Sequence, residues 1–526
     1  MDTKALRQKI LDLAIRGKLV PQDPNDEPAS VLLERIRAEK QQMVKDGKLK
    51  AKDIKNDSFI YIGEDNYAYE KFPDGTVKCI QDEILFELPE GWEWCNLSMI
   101  GETNIGLTYH PTDITNDGIM VLRSSNIVNG KLDFKDLVRV NTKIRENQYV
   151  ENNDILICAR NGSKALVGKC AIISNLSEKA SFGAFMAIYK TPLYKYVYYY
   201  LNTNLFREVF YDGNSTTINQ LTQSMIKSAR IPLPPFQEQQ RIVDKLSELL
   251  SFLEIIECEK DDLQSTIQLT KSKILDLAIR GKLVPQDPND EPARALLERI
   301  RAEKQELIKQ GKIKPDKRDS VIFKGDDNSY YEKVGETITC IENELPFDIP
   351  DGWEWMRLSS ACIINPKNHI DDNTHVSFIP MSLIHDGYSN QFETEQRKWT
   401  EVKKGFTHFA ENDVCFAKIT PCFENRKSVV LSGLCNGYGA GTTELFILRP
   451  YINTILSEFL LYIVKTDTFI QGGIQTFSGA VGQQRVSKEY VCNYIIPVPP
   501  LAEQKLIVEK CKSILQILQN IEKMLN

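Results

Sequence analysis

The stretch KILDLAIRGKLVPQDPNDEPASVLLERIRAEKQ at residues 9–41 occurs twice in this chain, and its second copy spans residues 273–305. The copies differ only at Ser30/Arg294 and Val31/Ala295. A repeat whose period is about half the chain is far too long for a solenoid. It indicates an internal duplication that produces two large units.

Shorter motifs extend this duplication outward in the same order along both halves. The matching pairs are GEDNYAYEK (63–71) and GDDNSYYEK (325–333), LPEGWEW (88–94) and IPDGWEW (349–355), and IPLPPFQEQQRIV (231–243) and IPVPPLAEQKLIV (496–508). Between these motifs, residues 95–230 and 356–495 resemble each other little. The sequence therefore predicts a duplicated scaffold that carries two different inserts.

The scaffold is predicted to be helical beyond Pro235. Apolar residues there recur at the three- and four-residue spacing of one helix face: Ile242, Val243, Leu246, Leu249, Leu250, Leu253, Ile256, Leu263, Ile267, Ile274, Leu277 and Ala278. A continuous helix from Glu238 to Arg280 would be about 64 Å long at 1.5 Å per residue. Gly281 stands where a C-terminal cap is expected, and the prolines of 284–292 prevent continuation.

The chain ends are predicted to complete a second long helix. Alignment of the two copies places residues 501–526 and 2–16 opposite the two halves of the central helix. We infer one interrupted helix, antiparallel to the first and related to it by a pseudo-two-fold axis. Met1 and Asn526 would then lie within one or two helical turns, about 5 to 11 Å. The alternative is that residues 2–16 form an independent surface helix.

The inserts combine short β-rich runs with one apolar helix each, which predicts an α/β or α+β domain in each case. The strands are predicted in DILICAR (154–160), KCAIIS (169–174), DVCFAKI (413–419) and ELFILRP (444–450). The helices are predicted near Tyr194–Phe210 and Ile455–Ile470.

The composition is that of a folded protein and excludes several classes. Hydrophobic residues make up 42% of the 526 residues and the formal charge is -7, so neither a disordered chain nor a strongly basic nucleic-acid binder is indicated. No window approaches 18 uncharged apolar residues, so no membrane span is predicted. The 12 cysteines are scattered without a CxxC pair, which favours reduced thiols in a cytoplasmic protein.

Together, the two dissimilar inserts, the PP-x-x-EQ helices, the P-x-GWEW motifs and the GKLVPQDPNDEPA turn resemble the specificity subunit of type I restriction-modification systems. The resemblance covers essentially the whole chain. It departs from the simplest layout of that family by an N-terminal extension of about 87 residues, which makes this chain a cyclically shifted version.

The resemblance implies that each insert reads one half of a bipartite, asymmetric target in double-stranded DNA. The helices would dock two methyltransferase subunits, and restriction subunits would join the complex. No cofactor would bind this chain directly, while S-adenosylmethionine, ATP and magnesium would serve the partner subunits. The chain would be a non-catalytic component, located in the cytoplasm.

On this basis the fold class is α+β (mixed α/β), with two globular target-recognition domains separated by two long antiparallel coiled-coil helices. Seven segments are predicted: residues 1–51, the N-terminal half of the second conserved scaffold region; 52–87, a connector; 88–235, target-recognition domain 1; 236–315, the central conserved helical region; 316–348, a connector; 349–500, target-recognition domain 2; and 501–526, the C-terminal conserved helix.

Candidate DNA contacts are polar side chains in loops that follow a strand or fill a glycine-rich turn, because Arg, Asn and Gln can read base edges and Ser and Thr suit phosphates. In the first domain they are Arg123, Ser124, Asn126, Arg160, Asn161, Ser163, Lys164, Thr216, Thr217, Asn219 and Gln220. In the second domain they are Lys418, Thr420, Asn425, Arg426, Lys427, Thr476, Ser478, Gln483, Gln484 and Arg485. Basic and acidic residues nearly balance in both domains. We therefore expect partner subunits to help hold the duplex.

Catalytic motifs fail at residues that the chemistry needs. LPPF (233–236) has Leu where an adenine methyltransferase needs Asn or Asp, and NGYGAGT (436–442) lacks the acidic ribose partner of a dinucleotide-type loop. GSKALVGKC (162–170) has one residue too many for a P-loop. The aromatic run KYVYYYL (195–201) is predicted to be core, although it could stack bases.

Two other functions stay open at this point. One is a self-contained DNA methyltransferase or nuclease with a divergent site. The other is a coiled-coil protein adaptor that binds proteins through its variable domains.

Overall fold

A computed structural model describes residues 2–47, 49–50, 54, 57–208, 220–315 and 319–525. The chain divides into two compact units, residues 1–259 and 260–526. The two large units predicted from the repeat are therefore confirmed.

The first unit contains two scaffold helices, a small sheet and a mixed insert, followed by a long helix that continues into the second unit. Its helices are α1 (Thr3–Ile15), α2 (Ala29–Lys45), α3 (Leu97–Ile100), α4 (Tyr194–Leu201), α5 (Asn204–Glu208), α6 (Gln223–Ser228) and α7 (Phe236–Ile279). Its strands are β1 (Phe59–Ile62), β2 (Ala68–Lys71), β3 (Val77–Cys79), β4 (Glu93–Asn96), β5 (Glu102–Ile105), β6 (Ile114–Leu122), β7 (Ile127–Val128), β8 (Lys131–Leu132), β9 (Val138–Val140), β10 (Tyr149–Val150), β11 (Ile155–Cys158), β12 (Cys170–Ile172), β13 (Ala180–Phe182), β14 (Met186–Lys190) and β15 (Arg230–Leu233).

The second unit repeats this order. Its further helices are α8 (Ala293–Lys309), α9 (Leu358–Ala361), α10 (Trp399–Val402), α11 (Ser457–Val464), α12 (Asp467–Ile474), α13 (Lys488–Asn493) and α14 (Leu501–Leu525). Its strands are β16 (Ser320–Lys324), β17 (Tyr330–Val334), β18 (Thr337–Cys340), β19 (Glu354–Arg357), β20 (Cys362–Ile364), β21 (His375–Ile379), β22 (Glu395–Lys398), β23 (Thr407–Ala410), β24 (Val414–Ala417), β25 (Ser428–Val430), β26 (Tyr438–Gly441), β27 (Leu445–Pro450) and β28 (Ile495–Val498).

The two inserts have the same sheet topology although their sequences resemble each other little. In the first, the sheets have the strand orders β10-β13-β6-β9 and β12-β11-β14-β5; in the second, the corresponding orders are β23-β26-β21-β22 and β25-β24-β27-β20. Each insert has one parallel pair at the same place, β13 with β6 and β26 with β21. The predicted α+β fold is confirmed, and the duplication extends to the inserts.

The predicted strands are present, and their continuous apolar sequence has a structural cause. In β11, Ile155 and Ile157 pack into the core shared with the scaffold helices, while Leu156 and Cys158 face a second core inside the insert. Successive side chains of a strand point to opposite faces, so a strand with a core on both faces is apolar throughout. The strand β24 is buried on both faces in the same way.

The long helix predicted from Glu238 to Arg280 is confirmed as α7, Phe236–Ile279. Within the first unit α1 runs antiparallel to α7, since Arg7 forms an ion pair with Glu257 at 3.4 Å while Asp26, farther along the chain, pairs with Arg241. Within the second unit α14 contacts α7 through Glu522, whose carboxylate accepts from Lys271 at 2.5 Å.

The predicted approach of the chain ends concerns Met1 and Asn526, which lie outside the described residues. The interrupted second helix stays a prediction. The helix α1 itself buries Leu11, Ala14 and Ile15 in the core of the first unit.

A glycine ends each copy of the repeated helix, Gly281 as predicted and Gly17 at the corresponding place. At Gly281 (φ +65°), the backbone N–H groups of Gly281 and Lys282 donate to the carbonyls of Ala278 and Leu277, which is the hydrogen-bond pattern of a left-handed C-terminal cap. A Cβ atom there would overlap the ring of Pro350, and one at Gly17 would overlap Pro89 in the same way. The repeated turn and the P-x-GWEW motif are therefore packed together in each unit.

The prediction of a single apolar helix in each insert is wrong, because the described residues of each segment form two short helices. Residues 209 and 210 of the first predicted helix lie outside the described residues. Thr203 separates α4 from α5, and Thr466 separates α11 from α12. Both hydroxyls donate to a carbonyl of the preceding helix and accept from a backbone N–H of the next, at 3.2 Å from Phe206 and 3.3 Å from Phe469. Threonine capping thus restarts the helix in both inserts.

The stretches predicted as connectors, 52–87 and 316–348, each contain a three-stranded antiparallel sheet. The first is β1-β2-β3 and the second is β16-β17-β18. Their β-hairpins turn at Asn66 and Asn328, which have φ angles of 63° and 64°. Asp-Asn dipeptides between aromatic runs were the sequence signal for these hairpins.

Candidate nucleic-acid interface

The predicted loops lie at corresponding places in the two inserts. Residues 159–169 join β11 to β12, and residues 418–427 join β24 to β25. In both inserts this loop pairs with the segment before the last short helix, through the β-bridges Arg160–Gln220 and Ile419–Arg485. Predicted contact residues that are far apart in sequence are therefore brought together by the same strand geometry.

In the first insert, three predicted loops meet. Leu221 donates its backbone N–H to the carbonyl of Ala159 at 2.7 Å, which joins the segment at Gln220 to the loop at Arg160. The side-chain amide of Asn161 donates to the hydroxyl of Ser124 at 3.5 Å. Thr216, Thr217 and Asn219 lie outside the described residues, and for them the contact stays a prediction.

An exposed aromatic side chain that the sequence reasoning missed completes this group. Phe185 is 61% exposed, and the guanidinium of Arg160 lies 5.5 Å from the centre of its ring. The backbone N–H groups of Ala159 and Arg160 donate to the carbonyl of Phe185. An arginine beside an exposed ring offers both a charge and a stacking face to a nucleic acid. The signal was an aromatic residue in the short turn GAF between two strands.

The loop at 123–126 is held mainly by internal contacts. Arg123 forms an ion pair with Asp136 at 2.8 Å, and Asn126 is fully buried. The Asn126 amide donates to the carbonyls of Asp133 and Asp136, and its oxygen accepts from the backbone of Arg123. The predicted DNA contact of Asn126 is therefore wrong, because the side chain shapes the loop from inside.

In the second insert the loops at 418–427 and 476–485 are joined by backbone hydrogen bonds. Thr420 donates to the carbonyl of Gln484, and Val486 donates to the carbonyl of Lys418, both at 2.9 Å. The hydroxyl of Thr420 itself is buried without a partner among the described residues. The hydroxyl is not accessible in this conformation although Thr420 itself is partly exposed, so a DNA contact of this residue stays a prediction.

Arg485 is fixed by Glu444. Its Nε and Nη2 donate to the two carboxylate oxygens at 2.9 and 2.8 Å, and its Nη1 donates to the carbonyl of Gln483 at 2.8 Å. This ion pair lowers the pKa of Glu444. The geometry makes Arg485 a support for the loop, and Glu444 is a second residue that the sequence reasoning missed.

Most basic and hydroxyl side chains at the other end of the 418–427 loop also face inward. Arg426 donates to the carbonyl of Lys465 and pairs with Asp467. Lys427 donates to the carbonyl of Met381 at 3.2 Å. In the 476–485 loop, the hydroxyl of Thr476 donates to the carbonyl of Gly473. Among the predicted contact residues that the structure describes, the exposed ones are Arg160, Ser163, Lys164, Gln220, Asn425, Ser478 and Gln483. The partly exposed ones are Arg123, Ser124, Asn161, Lys418, Thr420, Arg426, Lys427, Thr476, Gln484 and Arg485.

The aromatic run 195–201 is core, as predicted. Tyr196 and Tyr200 are buried and donate their hydroxyls to the carbonyls of Pro232 and Arg230 at 2.7 and 2.6 Å. Burial raises the pKa of Tyr196 well above its ordinary value. These rings hold α4 against the strand β15.

Three motifs considered for catalysis have structural uses here. Two glycines of 436–442, Gly439 and Gly441, lie in β26, where a Cβ at Gly439 would overlap the Ser377 carbonyl and the Phe409 ring. The segment LPPF leads into α7, where Gln239 donates to the carbonyl of Pro234 at 2.9 Å. GSKALVGKC forms the loop between β11 and β12. Within the described ranges, no cluster of His, Cys, Asp or Glu suited to a metal ion is found.

No helix in the described part of the chain is long and apolar enough to cross a membrane. All twelve cysteines are free thiols.

Comparison with known proteins identifies one family in both halves of the chain. The family model described as "Type I restriction modification DNA specificity domain" matches residues 89–265 and 350–526, which is more than half of the chain. The specificity subunits of the type I restriction enzymes EcoAI and EcoEI, both from Escherichia coli, are 46% and 43% identical over 257 residues, or 49% of this chain. The chain matches 41% and 40% of the length of these two relatives.

A solved structure shows the same fold over most of the chain. It is described as "Structural basis underlying complex assembly and conformational transition of the type I R-M system". The alignment has a TM-score of 0.50 at 16% identity and covers 84% of this chain and 94% of that one.

Proposed function

Because the chain belongs to the type I restriction-modification DNA specificity domain family, we propose that it is the DNA-recognition subunit of a type I restriction-modification complex. It reads a bipartite, asymmetric target with two recognition domains, one in each unit. The observation that carries this proposal is the corresponding loop pair, bridged at Arg160–Gln220 and at Ile419–Arg485. Equal topology with unequal loop sequences is what reading two different half-sites requires.

The proposed subunit is itself non-catalytic. Two methyltransferase subunits and the restriction subunits supply the chemistry, with S-adenosylmethionine, ATP and magnesium bound there, in the cytoplasm. In support, LPPF joins β15 to α7, and Gly439 and Gly441 serve strand packing in β26. Neither motif is available as a cofactor loop.

The deciding experiment is methylome sequencing of a host that expresses this chain with and without its methyltransferase subunit. We expect a bipartite motif, methylated on both strands, only when both proteins are present. Exchange of residues 88–235 should change one half-site and leave the other intact, because each domain has its own core. If both half-sites changed together, modular reading would be contradicted.

Two assays separate the alternatives. S-adenosylmethionine binding by the purified chain would favour a self-contained methyltransferase. Absence of sequence-specific DNA binding, even with methyltransferase subunits present, would favour a protein adaptor.

A further inference from the structure

Val481 is the most exposed large hydrophobic side chain of the described residues, at 97%. It lies in the turn of a β-hairpin closed by two backbone hydrogen bonds between Ser478 and Arg485, at 3.1 and 2.9 Å. Gly479 and Gly482 flank it with φ angles of 117° and 79°, conformations that favour glycine. The valine thus occupies the tip of a tight hairpin.

The hairpin is anchored at its base and not at its tip. Arg485 is bound by both carboxylate oxygens of Glu444, and the carbonyl of Gln484 accepts from Thr420. These contacts attach the hairpin to the ends of β24 and β27, beside the loop that carries the predicted DNA contacts. Val481 therefore projects from the candidate interface on a fixed support.

An aliphatic side chain fully in water gains nothing on folding, and its free energy falls only when a ligand covers it. The apolar group that DNA offers in the major groove is the 5-methyl group of thymine. Gln483, two residues further along, is exposed and carries an amide suited to N6 and N7 of adenine. Together the two side chains suit the major-groove edge of an A·T base pair.

We propose that Val481 contacts the 5-methyl group of a thymine in the second half-site and sets base preference there. This proposal rests on the proposed DNA-recognition function. It assigns a specificity-determining role to an apolar residue in a loop whose polar side chains are the usual candidates.

The test uses the complex of this chain with its methyltransferase subunits and DNA of the methylated motif. Each thymine of the second half-site is replaced in turn by deoxyuridine, which lacks only the methyl group. With the unaltered chain, one replacement should weaken binding about four-fold, because that factor corresponds to the free energy of burying one methyl-sized group. With Val481→Ala, binding to the thymine DNA should be weaker and the same replacement should have no further effect.

The matched control is Ile452→Ala. Ile452 is 75% exposed and follows the far end of β27 from Glu444, so this variant should keep the full sensitivity to deoxyuridine. If Val481→Ala weakens binding but no thymine replacement does, Val481 acts as a wedge between bases and the methyl contact is refuted. Equal sensitivity in both variants would refute it as well. If the unaltered complex binds no specific DNA, the proposed function itself has failed.

Discussion

The indole Nε1 of Trp92 lies 3.0 Å from Oε2 of Glu238, and Trp353 makes the same hydrogen bond to Glu503 at 2.8 Å. Both carboxylates are 1% exposed. In each unit the other carboxylate oxygen accepts from a glutamine of the repeated turn, Gln22 at 3.2 Å in the first. The P-x-GWEW motif, the PP-x-x-EQ helix and the PQDP turn therefore meet at one buried carboxylate.

Glu238→Gln should destabilise the first unit, because an amide offers one acceptor oxygen where two donors converge. The N–H groups of Trp92 and Gln22 cannot both be satisfied, and a buried unsatisfied donor costs about 1 to 3 kcal/mol. Urea unfolding of the full chain measures the loss. Glu248→Gln is the control, because that carboxylate is exposed and pairs with Lys245 on the surface; its effect should stay below about 1 kcal/mol. Equal losses in both variants would contradict the buried-carboxylate explanation.

Each unit pairs one arginine with two glutamates at corresponding positions. The two arginines, however, come from different strands of the two-stranded sheet. Arg230 on β15 pairs with Glu70 and Glu83 in the first unit. Arg357 on β19 pairs with Glu332 and Glu344 in the second. In strand register Arg230 lies opposite Asn96, whose counterpart in the second unit is Arg357. Each recognition domain thus contributes one arginine to the glutamate pair of the connector segment that precedes it.

Arg230→Ile should cost about 3 kcal/mol, because it leaves the 3% exposed Glu70 without its cation. Adding Asn96→Arg should restore most of the loss, since that position opposes residue 230 in the ladder. Unfolding of both single variants and the double variant forms a cycle whose coupling we expect to exceed about 1 kcal/mol. Additive losses would mean that the two positions do not share the glutamates.

Lys465 predicts a pH dependence in the second unit. It is buried and donates to the carbonyls of Gly387 and Arg426. Burial, together with the positive charge of Arg426 and against the opposing charge of Asp386, lowers the pKa of Lys465 to about 7. The unfolded chain therefore binds more protons than the folded one between about pH 7 and the ordinary lysine value of 10.5, so stability rises with pH across that window.

Comparison with Lys465→Met isolates the contribution of Lys465 to the pH dependence of stability. Between pH 7 and 9 the unfolding free energy of the unaltered chain should rise relative to the variant, by at most about 1.4 kcal/mol per pH unit. Parallel pH profiles for the two proteins would show that Lys465 stays charged when folded.

Variants of Arg485 and Glu444 can show whether Arg485 contacts DNA or supports the hairpin through its ion pair with Glu444. If Arg485 acts through Glu444, Arg485→Ala and Glu444→Gln should weaken DNA binding by similar factors, about ten-fold, because either change frees the hairpin. If Arg485 bound a base directly, Glu444→Gln would release it and leave binding intact or stronger. Fluorescence anisotropy with the methyltransferase complex measures the DNA affinity of both variants. DNA with base changes in the first half-site serves as the reference.

A four-residue insertion after Asp261 in α7 should lengthen the unspecified spacer of the target by one or two base pairs. It adds about 6 Å of helix, close to two steps of B-DNA at 3.4 Å. The same insertion after Gly335, in an exposed turn, should leave the spacer unchanged. Methylome sequencing that found the spacer unchanged, or the half-site bases altered, would show that α7 does not set the spacing.

The sequence alone determined the duplication, the long helix and its glycine caps, because identical segments and 3.6-residue apolar spacing are local properties of the chain. It also predicted strands at β11 and β24 from their apolar runs. It did not determine that the dissimilar inserts share one topology, since many sequences satisfy the same two-sided burial. Only the tertiary structure showed which polar loop residues face inward. Asn126 and Thr420 look like contact residues in sequence, but their environment is set by carbonyls and strands far along the chain.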